Sequence, residues 1–384
     1  MTDRYDVIVV GVGGVGSAAV SHLAGRGADV LGLERFDVPH ARGSSHGSTR
    51  IIRKAYFEDP AYVSLVERAY ENWRALERAT GRDLLTVTGS VDAGPEGSEV
   101  VEGSLRSCRE HDLEHDFLTG AELHERVPGL DLPNAFRAVH QPEGGFLHAE
   151  GCIEAHVQHA HAHGAEVRAR EAVTDWRETG EGVRVDTDRG RYEADTLVVA
   201  AGPWTGELLP DLADSLRPER QVIAWFQPDR SERYRPESFP VFVCTVPDDE
   251  GRGIEGGEYY GIPTYRRPGV KLGKHHHLGG EVDPESVEEP TRADEAVVRR
   301  FAETYAPDAA GPTMGLDTCL YTNTPDDDFV VDRHPAHDSV VVAGGFSGHG
   351  FKFTSATGEL LADLALDGET TFDVDLDPFR VDRL

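Results

Sequence analysis

Lysine is nearly missing from this chain of 384 residues. Only four of its 38 basic residues are lysines, at Lys54, Lys271, Lys274 and Lys352. Cysteine is as rare, at Cys108, Cys152, Cys244 and Cys319, with no two close in sequence. That spacing excludes a local CxxC metal site or redox disulfide. Long-range disulfides are not expected in a reducing cytosol. No apolar run approaches the roughly 18 residues that a membrane span needs. The start, MTDRYDVIVVG, mixes acidic and basic residues ahead of a short apolar run and lacks the basic start and small-residue cleavage site of a signal peptide, so a cytoplasmic protein is expected. There is no internal repeat or low-complexity tract.

Positive charge as a whole is short. Asp and Glu number 69 against 38 Lys and Arg, a net charge of -31. Nucleic acid and anionic membranes are excluded as partners by that repulsion. The acidic, lysine-poor composition is similar to that of proteins from salt-accumulating halophiles, and a salt requirement is expected. If surface lysines have been replaced wholesale, those that remain have specific work to do. Lys271 and Lys352 stand in glycine-flanked segments, GVKLGK and GHGFKF, and are the stronger candidates.

The strand-forming run YDVIVV leads into GVGGVG, which places Gly11, Gly13 and Gly16 in a GxGxxG pattern. The helical spacing of Ala18, Ala19, Leu23 and Ala24 follows, then a second strand, DVLGLE, closing on Glu34. In that context the glycines permit a tight turn and close approach to a pyrophosphate. The helix N-terminus receives the phosphates, and the acid holds ribose hydroxyls. This unit alone leaves NAD and FAD open. RYEADTLVVAAGPWT (191–205) and DSVVVAGGFSGHGFKFTSATGELLADLAL (338–366) favour FAD. The latter is a buried strand, a glycine-rich loop and an amphipathic helix with Leu360, Leu361, Leu364 and Leu366. A second glycine loop so far from the first suggests one long ligand held at both ends.

Taken with PHARGSSHGSTRIIRKAY (39–56), YYGIP and GVKLGKH (259–275), CLYTNTPDDDFVVDRHP (319–335) and AGGFSGHGFKF (343–353), the chain resembles the monomeric sarcosine oxidase and N-methyltryptophan oxidase family nearly end to end. The resemblance implies an α/β fold: a glutathione-reductase-type FAD domain (1–80, 150–215 and 320–384) interleaved with a mixed-sheet substrate domain (81–149 and 216–319). It implies a monomer that oxidises a secondary amine bearing a carboxylate. The imine then hydrolyses, and oxygen is reduced to hydrogen peroxide. Sarcosine is the expected substrate; a bulkier N-methyl amino acid or a cyclic imino acid is the alternative. A dehydrogenase of the same fold that does not use oxygen is the rival activity.

The resemblance also implies roles. Cys319 takes the place of the cysteine joined to the flavin, and nearby cations would raise its thiolate fraction. Arg53 and Lys352 match a clamp for the substrate carboxylate, with Tyr321 and Tyr260 lining the pocket and His275 near the amine. Arg50 lies near the flavin ring; it would share a face with Arg53 if their segment is helical. Lys271 matches the lysine that activates oxygen. Ser44, His46, Thr49, Val173, Gly202, Trp204, Gly345, Gly348, Gly350 and Phe351 match cofactor contacts. No metal is expected, since the run His275–His276–His277 has no further ligand at suitable spacing. Three departures bear on the substrate. The polar loop between Pro247 and Tyr259 is long enough to reshape the entrance, Lys274 replaces an aromatic, and Val243 replaces a larger residue.

Overall fold

The fully apolar run of the first strand is buried on both sides, as a central parallel strand must be. In the computed structural model, which describes residues 3–372 and 374–384, strand Asp3–Val10 lies between two parallel neighbours. Val30–Glu34 flanks it on one side and Arg191–Val199 on the other. Glu166–Ala169 extends the sheet beyond Val30–Glu34. Arg191–Val199 divides its far edge between two partners. Its first half pairs antiparallel with Gly182–Thr187, and its last residues pair parallel with Val340–Gly344. Chain from the front, middle and end of the sequence thus meets in one sheet.

The helix Gly14–Gly25 covers this sheet beside the helix Thr354–Leu366. Their axes come close because a Cβ at Gly358 would lie 2.5 Å from the Cβ of Ala18. Leu360, Leu361 and Leu364 are buried as the helical period requires, while Leu366, at the helix end, turns outward and is 40% exposed. The long helix Tyr62–Thr80 buries Leu65, Val66, Ala69, Trp73 and Leu76 on one stripe and stops at Gly81 in the left-handed region. None of the described helices is long and apolar enough to cross a membrane.

A second sheet of eight strands is built from Ser90–Pro95, Asp116–Thr119, Phe136–Gln141, Arg217–Phe226, Val241–Val246, Gly257–Ile262, Val270–Lys274 and Thr313–Asn323. One face packs on the helix Arg292–Tyr305, started by a capping box between Thr291 and Asp294. A three-stranded sheet of Thr49–Ile52, Leu85–Val87 and Gly145–His148 stands apart from both. This corrects the helical alternative for Arg50 and Arg53. The β-branched run Thr49-Arg50-Ile51-Ile52 is a strand, with Arg50 opposite Leu147, and Arg53 follows its end.

Candidate active site

A cavity of about 480 Å³ runs along the parallel sheet's carboxyl ends. Its wall includes Gly11, Gly13, Glu34, Ser44, Arg50, Val173, Gly202, Trp204, Tyr321, Gly345, Gly348, Gly350 and Phe351. The glycines differ in what demands them. Gly11 has φ +88°, and its added Cβ would lie 2.5 Å from the Ala200 carbonyl oxygen. At Gly16 it would lie 1.7 Å from the Gly11 oxygen, so this glycine serves the turn itself and lies off the cavity wall. At Gly13 it would meet nothing closer than Ser45 Oγ at 3.9 Å. The chain leaves open space there, at the helix N-terminus, as a close-approaching pyrophosphate requires. Glu34 is buried at the end of its strand, where its carboxylate accepts from the backbone N–H groups of Val12 and Phe36, both at 2.9 Å. Burial pushes its pKa up, but His40 and those two amides outweigh burial and hold it below the usual range.

His46 is buried and its Nε2 has no hydrogen-bond partner. Burial, with Arg50 nearby, lowers its pKa to about 4. An orphaned ring nitrogen beside an elongated, glycine-lined cavity fits a cofactor with polar edges of its own, and the donor set fits FAD.

The second sheet supplies the other side. Strand alternation puts Tyr260, Lys271, His275, Cys319 and Tyr321 on the face away from Arg292–Tyr305. The Tyr321 hydroxyl is 3.1 Å from His275 Nδ1. Burial brings the His275 pKa down to about 3, so its ring is neutral. Lys271 is 2% exposed, and its Nζ donates to the carbonyls of Gly47 (3.0 Å) and Thr49. Burial and the neighbouring Arg50 hold its pKa well below the ordinary value. Arg50 donates to the carbonyls of Ser44 at 2.7 Å and Thr49 at 3.0 Å.

Cys319 is 5% exposed, and here the expected chemistry is corrected. Burial pushes its thiol pKa up, and Arg50 and Lys271 offset that only in part. The protein alone therefore holds a protonated thiol rather than an enriched thiolate.

Arg53 and Lys352 come together near Tyr56: the guanidinium carbon lies 4.8 Å and the ammonium 5.0 Å from its ring centroid. Trp73 Nε1 donates to the Lys352 carbonyl at 3.0 Å, so the long helix fixes this residue's backbone. Lys352 Nζ donates to the His349 carbonyl at 2.7 Å. Burial and Arg53 lower its pKa to about 7. Arg53 is not free for a ligand: Glu58 takes its Nη2 with both oxygens, at 3.0 and 2.9 Å, and Asp92 lies 3.8 Å from Nε. The four lysines differ in their partners. Lys54 is paired with Glu143 at 2.9 Å and Lys274 with Glu255 at 2.8 Å. Lys271 and Lys352 have only carbonyl partners among the described residues.

Two of the departures point elsewhere. Lys274 lies opposite Tyr259, which stacks on Phe301 at 4.5 Å on the helix-covered face. The loop after Pro247 folds back through an Asp249–Ile254 bridge and buries Ile254 in that same core. Val243 does lie on the site face, opposite Tyr260. One residue escaped the sequence reading. Glu258 stands two places before Tyr260 and shares its face, a parity readable from the strand once Tyr260 is placed. The histidine run is otherwise engaged: His276 Nδ1 lies 2.8 Å from Glu219, and His277 Nε2 lies 3.1 Å from Asp294. No group of three metal-ligating side chains occurs among the described residues.

The profile of FAD-dependent oxidoreductases matches residues 6–364. A protein named monomeric sarcosine oxidase from Streptomyces avermitilis is 43% identical, covering 99% of this chain and 99% of its own. An N-methyl-L-tryptophan oxidase of Escherichia coli is 36% identical, again over 99% of both chains. Among solved structures, the open form of NikD, an amino acid oxidase of nikkomycin biosynthesis, superposes with a TM-score of 0.85 at 26% identity, covering 99% of this chain and 98% of its own. The chain belongs to the FAD-dependent oxidoreductases, in the branch that holds the monomeric sarcosine oxidases and N-methyltryptophan oxidases.

Proposed function

We propose that this protein is a sarcosine-type oxidase that converts N-methyl amino acids to imines and returns the electrons to oxygen as hydrogen peroxide. The observation that carries the reading is the pair Lys271 and Lys352. In a chain with 69 acids, these two lysine amines are buried among carbonyls with no carboxylate partner of their own. Each is a prepared site for a negative charge that arrives from outside the protein. FAD, when bound, supplies the two-electron acceptor for the amine's C–N bond.

The chain's own groups take the following parts. Lys352 and Arg53 bind the substrate carboxylate, and Arg53 must exchange Glu58 for it. Neutral His275, held by Tyr321, adds no positive charge next to the amine and so favours its reactive unprotonated form. Tyr260 closes the wall. Lys271 stabilises the negative charge that oxygen acquires as it is reduced, and Arg50 adds a second cation nearby. Gly11, Gly13, Glu34, Gly345 and Gly350 hold the dinucleotide. Cys319 is the residue that would hold the cofactor covalently through its sulfur, and Arg50 and Lys271 would favour loss of the thiol proton there. In this reading 1–80, 150–215 and 320–384 bind the cofactor, and 81–149 and 216–319 bind the substrate. Four free cysteines support a reducing, cytoplasmic location, and the names of the relatives support a monomer. The acid-rich composition supports a salt requirement.

The test is to precipitate the purified protein with acid, redissolve the washed pellet in denaturant and record its visible spectrum, with peroxide release on sarcosine measured before precipitation. Yellow colour that stays with the wild-type pellet and leaves with the supernatant in Cys319→Ser supports the linkage. A colourless wild-type pellet removes it. Absence of peroxide from flavin-loaded protein with sarcosine and larger N-methyl amino acids overturns the oxidase reading.

A further inference from the structure

Glu258 is a carboxylate without a partner on the wall of the proposed substrate site. Its strand, Gly257–Ile262, alternates, so Glu258, Tyr260 and Ile262 share the site face. Its carbonyl accepts from the His275 backbone N–H at 2.8 Å, which fixes it beside the residue proposed to meet the amine. Across the sheet it pairs with Thr245, two residues along from the Val243–Tyr260 pair. Its side chain is half-buried, and among the described residues it makes neither a hydrogen bond nor an ion pair. The charged groups around it are Glu58, Glu99, Arg53 and His276. Arg53 is already held by Glu58 at 2.9 Å, and His276 by Glu219 at 2.8 Å. Glu255, in the loop before this strand, has Lys274 as its partner; Glu258 has none among the described residues.

An uncompensated carboxylate among other carboxylates raises their mutual repulsion, and burial raises its pKa to about 7. A cation delivered by a ligand relieves both. Arg53 and Lys352 fix the ligand's own carboxylate, and His275 lies beside the amine. The part of the substrate left to meet Glu258 is the side chain on the α-carbon. Val243 lies there, opposite Tyr260 and packed with Phe57 and Val100.

We propose that Glu258 reads the charge of the substrate side chain, and that the preferred substrates are N-methyl amino acids carrying a basic side chain, with acidic ones rejected. The inference rests on the oxidase reading above. It belongs to this chain's own residues: two of the three sequence departures face away from the site, and Glu258 faces into it.

The experiment compares kcat/KM, from peroxide release by flavin-loaded protein, for α-N-methyl-lysine, α-N-methyl-norleucine and N-methyl-glutamate. These side chains are of comparable reach and differ in charge. In wild type, measured above about pH 8 where the Glu258 carboxyl is ionised, the order is basic, neutral, acidic, with basic over acidic by about 100-fold or more, as expected for one uncompensated charge that attracts one substrate and repels the other. In Glu258→Gln the ratio collapses to within about fivefold, and in Glu258→Lys it inverts. Ratios are read, so a general loss of rate in either variant does not affect the result. A flat or reversed series in wild type overturns the inference, as does a basic preference that survives Glu258→Gln. If sarcosine is oxidised while the series is flat, this inference alone falls. If no N-methyl amino acid is oxidised, the oxidase reading falls with it.

Discussion

Lys352 illustrates what burial does to a single side chain. An ordinary lysine titrates near 10.4, whereas this one is brought down to about 7 by burial and Arg53. In the substrate-free protein it is an ammonium below about pH 7 and a neutral amine above it. A carboxylate ligand prefers the ammonium, so affinity is full at the low end and declines as pH rises through 7. Titrating the flavin absorbance with acetate or a similar carboxylate between pH 6 and about 9 measures this. The Kd is expected to weaken by about tenfold per unit above the midpoint at the limiting slope, and Lys352→Met is expected to bind weakly and without that dependence. Stability runs the other way: the unfolded chain holds this proton more tightly between about 7 and 10, so the penalty for burying the residue eases as pH rises through that window. For Lys271→Met, reoxidation of the reduced protein by oxygen is expected to slow by about 10²-fold or more, as when one electrostatic stabiliser is removed. Stopped-flow mixing with oxygen reads it, and undiminished oxygen reactivity would return the dehydrogenase rival. Both lysines were visible in the sequence because they survived in a lysine-poor chain. The occupation of Arg53 by Glu58 was not, since it depends on the path of five residues past a strand end.

At the scale of elements, the GxGxxG turn offers a sharp comparison. Gly16→Ala would force a Cβ to 1.7 Å from the Gly11 oxygen, so the turn cannot keep its shape. Gly13→Ala has room within the protein. The expectation is that the Gly16 variant yields little folded protein, while the Gly13 variant folds, keeps an apo-protein melting temperature within about 2 °C of wild type and carries much less FAD. Thermal melts of cofactor-free protein and flavin-to-protein absorbance ratios separate the two. Gly358→Ala tests the helix contact with Ala18 and is expected to destabilise by about 1–3 kcal/mol through overpacking. The strand–turn–helix unit at the front was legible because each local preference agrees with it. The segment around Arg50 was less so: three-residue spacing reads as helix, while the β-branched pairs that make it a strand gain their partner from Gly145–His148, far along the chain. The loop after Pro247 was illegible for a related reason. Its one apolar residue, Ile254, decides where it lies, and nothing local says which face of the sheet will receive it.

For the molecule as a whole, the net charge of -31 sets the solution behaviour. At low ionic strength the acids repel one another across the surface. In molar salt the Debye length shrinks to about 3 Å and only close pairs interact. The melting temperature is expected to climb by 10 °C or more (about 8 kcal/mol at about 2.1 cal/mol/K per residue) between dilute buffer and 2 M KCl. A melting series in KCl measures it, and a curve flat in salt would remove the halophilic reading. Fold and family were readable from the whole sequence since glycine loops, strands and the Cys319 and Lys352 segments occur in one order. Glu258 was passed over because a glutamate in so acidic a chain carries little information until its face is known.

The cavity wall begins at Val10 and ends at Thr354. During synthesis the GxGxxG unit emerges well before the Gly345–Phe351 loop, and the wall is incomplete until that loop has followed. Until then the nascent chain holds its phosphate cradle open on one side. A chain that terminates early, however well its front half folds, is born colourless.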